Sequence, residues 1–149
     1  MGVSTRAFDV KAYERLDDEV CEARRRLPYV VLKLRCGKCR RVLAEGSLHP
    51  EAPTVVWDFC GQFSTERDRS VIRHSLRRSS FNHSRPNVRV WESTLRDPDS
   101  YAQLSNHQFT VACVTRCGMR RSFRNERAVR AFISAQEQGR KELVLGVDL

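Results

Sequence analysis

Two pairs of cysteines are the residues of this chain whose type and spacing are best suited to chemistry. Two residues separate Cys36 from Cys39, and three residues separate Cys113 from Cys117. Thiolates spaced in this way on a tight turn can bind one soft cation, and two such turns supply a tetrahedral set of four sulfurs. A site filled by four thiolates has no open position for water and cannot activate a nucleophile. The pattern therefore predicts a structural metal site with the ligands Cys36, Cys39, Cys113 and Cys117.

The remaining cysteines leave alternatives open. Cys60 also ends an apolar run and precedes a glycine, so it could replace a member of the second pair. The first pair could be a redox dithiol, but that chemistry favours a helix after the first thiol, whereas Arg41–Ala44 has a β-like sequence. The thiols could also be metal-free, because the two pairs are far apart in the chain. Cys21 lies beside Val20 and is interpreted as a reduced core thiol.

A helix is predicted at each end of the chain to support these turns. Apolar residues recur at spacings of three and four over residues 9–27, which places them on one helix face; Asp9 is expected to cap this helix and Pro28 to end it. The second helix is expected to be capped by Asn125 and to end at Gly139.

Strands are predicted on both sides of each cysteine pair. Apolar and β-favouring runs predict strands at Tyr29–Arg35, Thr54–Phe59, Val88–Glu92, Gln108–Cys113 and Glu142–Val147. Arg41–Ala44 and Arg120–Arg124 are predicted as the return strands after the two cysteine turns. Glu45-Gly46-Ser47 is expected to end the second strand. Residues 64–80 fit either a short helix or a serine- and arginine-rich loop. The sequence thus predicts an α+β fold, with an antiparallel sheet built on two cysteine hairpins.

The length of 149 residues fits one domain, 1–149. We divide it into an N-terminal helix (9–27), a first knuckle with its strands (29–60), an insertion (61–107), and a second knuckle with a helix and terminal strand (108–149). No apolar run approaches the roughly 20 residues that cross a bilayer, and the N-terminus lacks the apolar stretch of a secretory signal. We therefore expect no membrane partner and a cytoplasmic location.

The formal charge is +9, and the first 30 residues contribute nothing to it. Such a balance favours polyanionic partners, although 23 arginines against 4 lysines also fit the composition of a GC-rich genome. Guanidinium groups bind phosphates in a forked geometry. Trp91 and Phe81 are interpreted as core residues rather than stacking platforms. The candidate nucleic-acid-binding residues are Arg40, Arg41, Arg73, Arg77, Arg78, Arg120, Arg121 and Arg124.

The order strand, CxxC turn, strand, and then strand, C-x-x-x-C-G turn, strand resembles the zinc-ribbon class over residues 29–45 and 108–124. The second turn is one residue longer than the usual CxxCG, with Val114 in place of a cysteine. In its general style the chain is similar to small arginine-rich proteins of actinobacterial viruses, which would place it in a host cytoplasm or a virion. The resemblance implies a structural Zn²⁺ and a module that binds nucleic acid or protein and does not catalyse.

Enzyme motifs are weak or missing. The chain has no glycine-rich phosphate loop and no GxSxG elbow. Asn82-His83 resembles one part of a metal-dependent nuclease centre, but the second histidine of that centre is missing. No small-molecule substrate is indicated. We therefore expect a non-catalytic protein that binds nucleic acid through arginine-rich surfaces.

The alternative is a protein-interaction or assembly component that docks on a viral particle or a host machine, and a nuclease ranks third. The neutral N-terminal helix favours the assembly alternative, as does the terminal strand Leu143–Val147, which could extend a neighbouring sheet.

Overall fold

The computed structural model describes residues 10–49, 52–59, 61–63, 87–93 and 108–149. In chain order its elements are α1 (Val10–Arg26), β1 (Leu32–Cys36), β2 (Val42–Leu48), β3 (Val55–Phe59), β4 (Gly61–Phe63), β5 (Val88–Ser93), β6 (Gln108–Cys113), β7 (Arg120–Arg124), α2 (Asn125–Glu137) and β8 (Glu142–Leu145). The α+β fold with a helix near each end is confirmed.

The described strands form two four-stranded sheets rather than one. Sheet 1 has the order β3-β2-β1-β8, and sheet 2 has the order β4-β5-β6-β7. Most neighbours are antiparallel, as predicted. The exceptions are β1 with β8 and β4 with β5, which pair in parallel. Each cysteine hairpin belongs to a different sheet: the first pair lies at the β1–β2 turn and the second at the β6–β7 turn.

Aromatic side chains from both sheets meet in the core. The ring of Trp57 in β3 lies 5.9 Å from that of Phe123 in β7, and Phe59 lies 5.7 Å from Phe109 in β6. All four rings are buried, so they hold the sheets together by apolar burial and ring contacts. Asn87 adds a polar contact between the sheets, since its Nδ2 donates to the carbonyl of Val42 at 2.9 Å.

Helix α1 packs through one face, as its periodicity predicts. Leu16, Val20 and Ala23 are buried, while Val10 is 55% exposed and marks the fraying start of the apolar stripe. The interpretation of Cys21 as a core thiol is wrong. Cys21 is exposed, because one position along a helix rotates a side chain by about 100° from its buried neighbour. Asp9 lies outside the described residues.

Strand β2 continues through the predicted break at Glu45-Gly46-Ser47 and ends at Leu48. The ring of Trp57 explains why glycine lies inside this strand. A Cβ atom on Gly46 would stand 2.8 Å from Cζ3 of Trp57, so the missing side chain makes room for the indole across the pair Gly46–Trp57. The glycine here indicates close packing rather than a turn.

Asn125 does not cap α2 as predicted; it is the first residue of the helix, and Arg124 occupies the cap position without a side-chain hydrogen bond. The buried amide of Asn125 instead reaches the start of β3. Its Oδ1 accepts from Thr54 Oγ1 at 2.7 Å and from the Val55 N–H at 3.0 Å, and its Nδ2 donates to the Pro53 carbonyl at 3.0 Å. Three buried polar groups therefore gain partners.

The chain after α2 folds back to the first hairpin. Gly139 has a φ of +71°, which ends the helix as predicted. Strand β8 then pairs with β1 and stops at Leu145, two residues before the predicted end, because Gly146 turns the chain at a φ of +98°. Asp148 stabilises this turn by accepting hydrogen bonds from both Nη atoms of Arg140, at 3.0 and 2.6 Å.

Several predictions lie outside the described residues. They concern Cys60, the segment 64–80, most of the insertion 61–107, and Arg73, Arg77 and Arg78.

Candidate functional site

The four cysteines predicted as ligands lie together. Their sulfur atoms are all within 4.8 Å of one another. The closest contacts cross between the knuckles: Cys36 Sγ lies 3.6 Å from Cys117 Sγ, and Cys39 Sγ lies 3.5 Å from Cys113 Sγ. A tetrahedron of Zn–S bonds of about 2.3 Å has sulfur–sulfur edges of about 3.8 Å. All four thiols are free of disulfides, so the donor set fits one four-coordinate metal ion.

The first knuckle is a tight turn closed by backbone hydrogen bonds. The N–H of Cys36 donates to the carbonyl of Arg41 at 2.9 Å, and the N–H groups of Lys38 and Cys39 point at Cys36 Sγ from 3.4 and 3.5 Å. A Cβ atom on Gly37 would lie 2.5 Å from the Leu145 carbonyl oxygen. Glycine is therefore required where β8 approaches the turn.

The second knuckle accommodates its extra residue by a wider closure. The N–H of Cys113 donates to the carbonyl of Met119 at 3.0 Å, six residues ahead rather than five as in the first knuckle. Thr115 lies inside this wider turn. Its hydroxyl is 3.0 Å from Cys113 Sγ and 3.6 Å from Cys39 Sγ. The departure from the usual spacing thus brings a hydroxyl into contact with sulfurs of both hairpins.

The residue after the last cysteine of each knuckle has a positive φ, +68° at Arg40 and +75° at Gly118. The two knuckles therefore turn in the same left-handed conformation. Glycine adopts it freely, whereas an arginine at this φ costs roughly 1 kcal/mol. The two hairpins thus share a local twofold resemblance in backbone conformation.

The protein surroundings divide the four thiols into two kinds. Burial raises the pKa of Cys36 and raises that of Cys113 to about 12. Hydrogen bonds from the Thr115 hydroxyl and the Met119 N–H lower the pKa of Cys117 to about 6. Burial also acts on Cys39, but hydrogen bonds, chiefly from the Arg41 N–H, outweigh it and lower the pKa.

Each short sulfur–sulfur contact therefore joins a thiol with a raised pKa to one with a lowered pKa. A divalent cation bound by all four sulfurs would require each of them to be deprotonated.

A second cluster of predicted residues lies on one face of sheet 2. Across β5, β6 and β7, the register pairs Arg89 with Ala112 and Arg120, and Trp91 with Thr110 and Ser122. Paired residues share a sheet face. The next row places Gln108 beside Arg124. We call this set the arginine face; it comprises Arg89, Trp91, Gln108, Thr110, Ala112, Arg120, Ser122 and Arg124.

The arginine face is open to solvent and includes an aromatic ring. Arg89, Arg120 and Arg124 are exposed, and Trp91 is half-buried. The guanidinium carbon of Arg120 lies 5.1 Å from the centroid of the Trp91 ring, within the range of a cation–π interaction. The interpretation of Trp91 as a core residue is therefore wrong. The alternation Val88-Arg89-Val90-Trp91 carried the signal, because both valines are buried and the residues between them face outward.

The structure separates the other predicted arginines from this face. Arg121 is also exposed, but its register partner is Val111, so it belongs to the opposite face of β7. Arg40 and Arg41 are exposed at the first knuckle; Arg41 Nη1 lies 3.4 Å from Asn87 Oδ1. Arg130, which follows the second knuckle in sequence, forms an ion pair with Glu19, whose Oε2 lies 2.6 Å from Arg130 Nη1.

The four cysteines are the one metal-type cluster among the residues that the structure describes. His49 lies at the end of β2, and Arg24 donates a hydrogen bond to its carbonyl. His74, His83 and His107 fall outside the described ranges, so the structure leaves the nuclease alternative untested.

Comparison with known proteins returned nothing for this chain: no family model matches, and neither does any curated protein or solved structure. Neither described helix is long and apolar enough to cross a membrane.

Proposed function

We propose that this protein is a non-catalytic nucleic-acid-binding module whose two sheets are joined by a structural zinc ion, in the manner of the zinc-ribbon class. The observation that supports binding is the arginine face. Three exposed guanidinium groups surround a half-buried tryptophan there, and the described side chains of that face include no carboxylate. Such a surface attracts a polyanion and offers forked contacts to phosphate oxygens.

Zinc is the metal that the four-sulfur centre favours. Tetrahedral four-thiolate sites hold either zinc or iron, and zinc needs no redox partner or open coordination position. The sulfur–sulfur contacts of 3.5 and 3.6 Å need only a small expansion to accept the ion. Elemental analysis of the purified protein should find one zinc per chain. Zinc at no more than trace level would contradict this part of the proposal.

The metal would act on binding through position. Strand β7 begins directly after the second knuckle, and Arg120 is its first residue. Because the centre fixes this knuckle against the first one, it fixes the start of β7 relative to sheet 1. We therefore expect the metal to fix the position of Arg120 relative to sheet 1, while the pairing of β5, β6 and β7 keeps Arg120 aligned with Arg89 across Ala112.

A comparison of two triple variants tests the proposal. R89A/R120A/R124A removes the three charges of the arginine face, and K11A/R15A/R25A removes three exposed charges from α1. Affinity for nucleic acid should fall with salt, because each phosphate contact releases counterions. A plot of the logarithm of the binding constant against the logarithm of the salt concentration should have a slope of about −0.7 to −0.9 per phosphate contact. The first variant should lose about two units of this slope, and the control should lose little. Equal behaviour of the two variants would contradict the proposal.

The absence of catalysis needs its own measurement. We expect no cleavage of DNA or RNA after prolonged incubation with Mg²⁺, Mn²⁺ or Zn²⁺, because a centre closed by four thiolates cannot present water to a phosphate. Metal-dependent cleavage that persists in a Cys113→Ser variant would instead support the nuclease alternative.

One observation favours the protein-interaction alternative. Within the described residues, β8 is the edge strand of sheet 1, and the following Val147 is 75% exposed. A partner strand could therefore extend this sheet. Size-exclusion chromatography with light scattering should show an assembly if this edge is used, and a monomer at all concentrations would count against self-assembly through it.

A further inference from the structure

We infer that the arginine face is a platform for single-stranded nucleic acid, on which an unpaired base stacks against Trp91 while phosphates contact Arg89, Arg120 and Arg124. The inference rests on the proposed function and narrows it to one class of ligand. It depends on how these four side chains are arranged on β5 and β7.

The register places the tryptophan among the arginines. Arg89 lies two residues before Trp91 on β5, so both point to the same face about 6.6 Å apart along the strand. Arg120 is aligned with Arg89 across Ala112. The residue between them, Ala112, has a small side chain, and the guanidinium of Arg120 lies over the Trp91 ring.

The row of the sheet that contains Trp91 continues with short hydroxyl side chains. Thr110 pairs with Trp91, and Ser122 lies beyond it on β7. Their hydroxyl oxygens are 2.8 Å apart, so each has hydrogen-bonding capacity left for a ligand. These side chains are too short to cover an indole, which explains why Trp91 stays half-exposed in the middle of the face.

A single strand suits this surface better than a duplex does. Aromatic side chains stack on any unpaired base, and a basic surface beside them follows the backbone. The bases of a duplex are already stacked on each other, so a duplex could use the arginines but not the ring of Trp91. The guanidinium of Arg120 lies over the Trp91 ring, 5.1 Å from its centre. A base that stacks on this ring face takes the place of the guanidinium, which can then contact the adjacent phosphate.

Three proteins and three probes test the inference: wild type, W91A and W91F, each with oligo(dT), oligo(rU) and a hairpin duplex of the same phosphate number. Single strands of about 15 nucleotides cover the usual site size. Tryptophan emission reports stacking directly. Since Trp57 is buried and the chain has two tryptophans, W91F supplies the background signal of Trp57.

We expect single strands to quench the emission of Trp91 and to bind more tightly than the duplex. W91A should lose about 5- to 150-fold in single-strand affinity and keep its duplex affinity, whereas W91F should retain most of the single-strand affinity. Tighter binding of oligo(dT) or of oligo(rU) than of the duplex supports the platform. Which of the two single strands binds more tightly shows whether DNA or RNA is preferred. Circular dichroism should show that W91A keeps the wild-type fold. If W91A does not fold, the platform is tested by the quenching of Trp91 emission in the wild type and by the single-strand affinity of W91F.

The failures are distinguishable. Salt-dependent binding that is equal for duplex and single strand, without quenching and unaffected by W91A, would overturn the platform and leave the proposed function standing. Binding to none of the three probes would overturn both.

Discussion

Removing the zinc ion that we propose for the four-cysteine centre should destabilise this protein without unfolding it. The centre joins Cys39 to Cys113, which are 74 positions apart in the chain. An unfolded chain must close that loop before both pairs can bind one ion, at an entropic cost of about 4.5 kcal/mol. The folded chain has already closed it, because the sulfurs lie within 4.8 Å of one another.

A metal ion bound there would therefore stabilise the folded state by about the same 4.5 kcal/mol when the folded and the unfolded chains are both saturated with metal. For a chain of this size, that free energy corresponds to a fall in melting temperature of about 9–18 °C after chelation. The aromatic contacts between Trp57, Phe59, Phe109 and Phe123 do not depend on the metal, so the apo protein should remain folded at room temperature.

Scanning calorimetry before and after chelation, with elemental analysis of both samples, measures the effect. C113S should melt at the temperature of the apo protein and show no further change with chelator. C21S removes an exposed cysteine outside the centre and should behave as wild type. If the apo sample melts at the same temperature as the metal-bound sample, the metal does not join the sheets. If chelation unfolds the protein completely, the aromatic core is not stable without the metal.

Three further outcomes follow from individual contacts. R40G should raise the free energy of unfolding by roughly 1 kcal/mol in urea titrations, because glycine relieves the φ of +68°; an unchanged or lower value would contradict this. N125A should lower it by about 2–3 kcal/mol, since the buried Val55 N–H loses its acceptor, with N125D, which keeps an acceptor oxygen, as the control. The hydrogen bonds from Arg140 lower the pKa of Asp148. This pair should therefore stabilise the fold above the unfolded pKa of about 3.9 and lose that contribution as the pH falls through the folded value. Thermal melts between neutral and acid pH should fall more steeply for wild type than for D148N, and parallel curves would argue against the pair.

Local patterns predicted much of the fold. Alternation identified β5 and β6 with nearly their observed bounds, because a strand with one buried face shows a period of two, and β7 was predicted as the return strand of the second cysteine turn. The periodicity of α1 likewise identified its buried residues. The same patterns misread Gly46 and Asn125, since a glycine in a strand and an asparagine at a helix start have several uses, and only distant partners select among them.

The candidate site shows the same division. Chain spacing was enough to pick out the four cysteines and the arginines that follow them. It did not show that Arg120 and Arg124 share a face with Arg89 while Arg121 lies opposite, because that depends on the register of β5, β6 and β7. The alternation of Trp91 with the buried Val88 and Val90 indicates an outward-facing ring, but only the register shows which arginines lie beside it.

The sequence by itself determined the two cysteine pairs as candidate donors, the excess of positive charge and most of the secondary structure, since each depends on residue type and short-range spacing. The tertiary structure decided that the two cysteine hairpins belong to different sheets, that the sulfurs of each pair contact those of the other, and that a tryptophan lies among three arginines in solvent. These are long-range arrangements, fixed by which apolar faces pack together and in which register, and no local pattern encodes them.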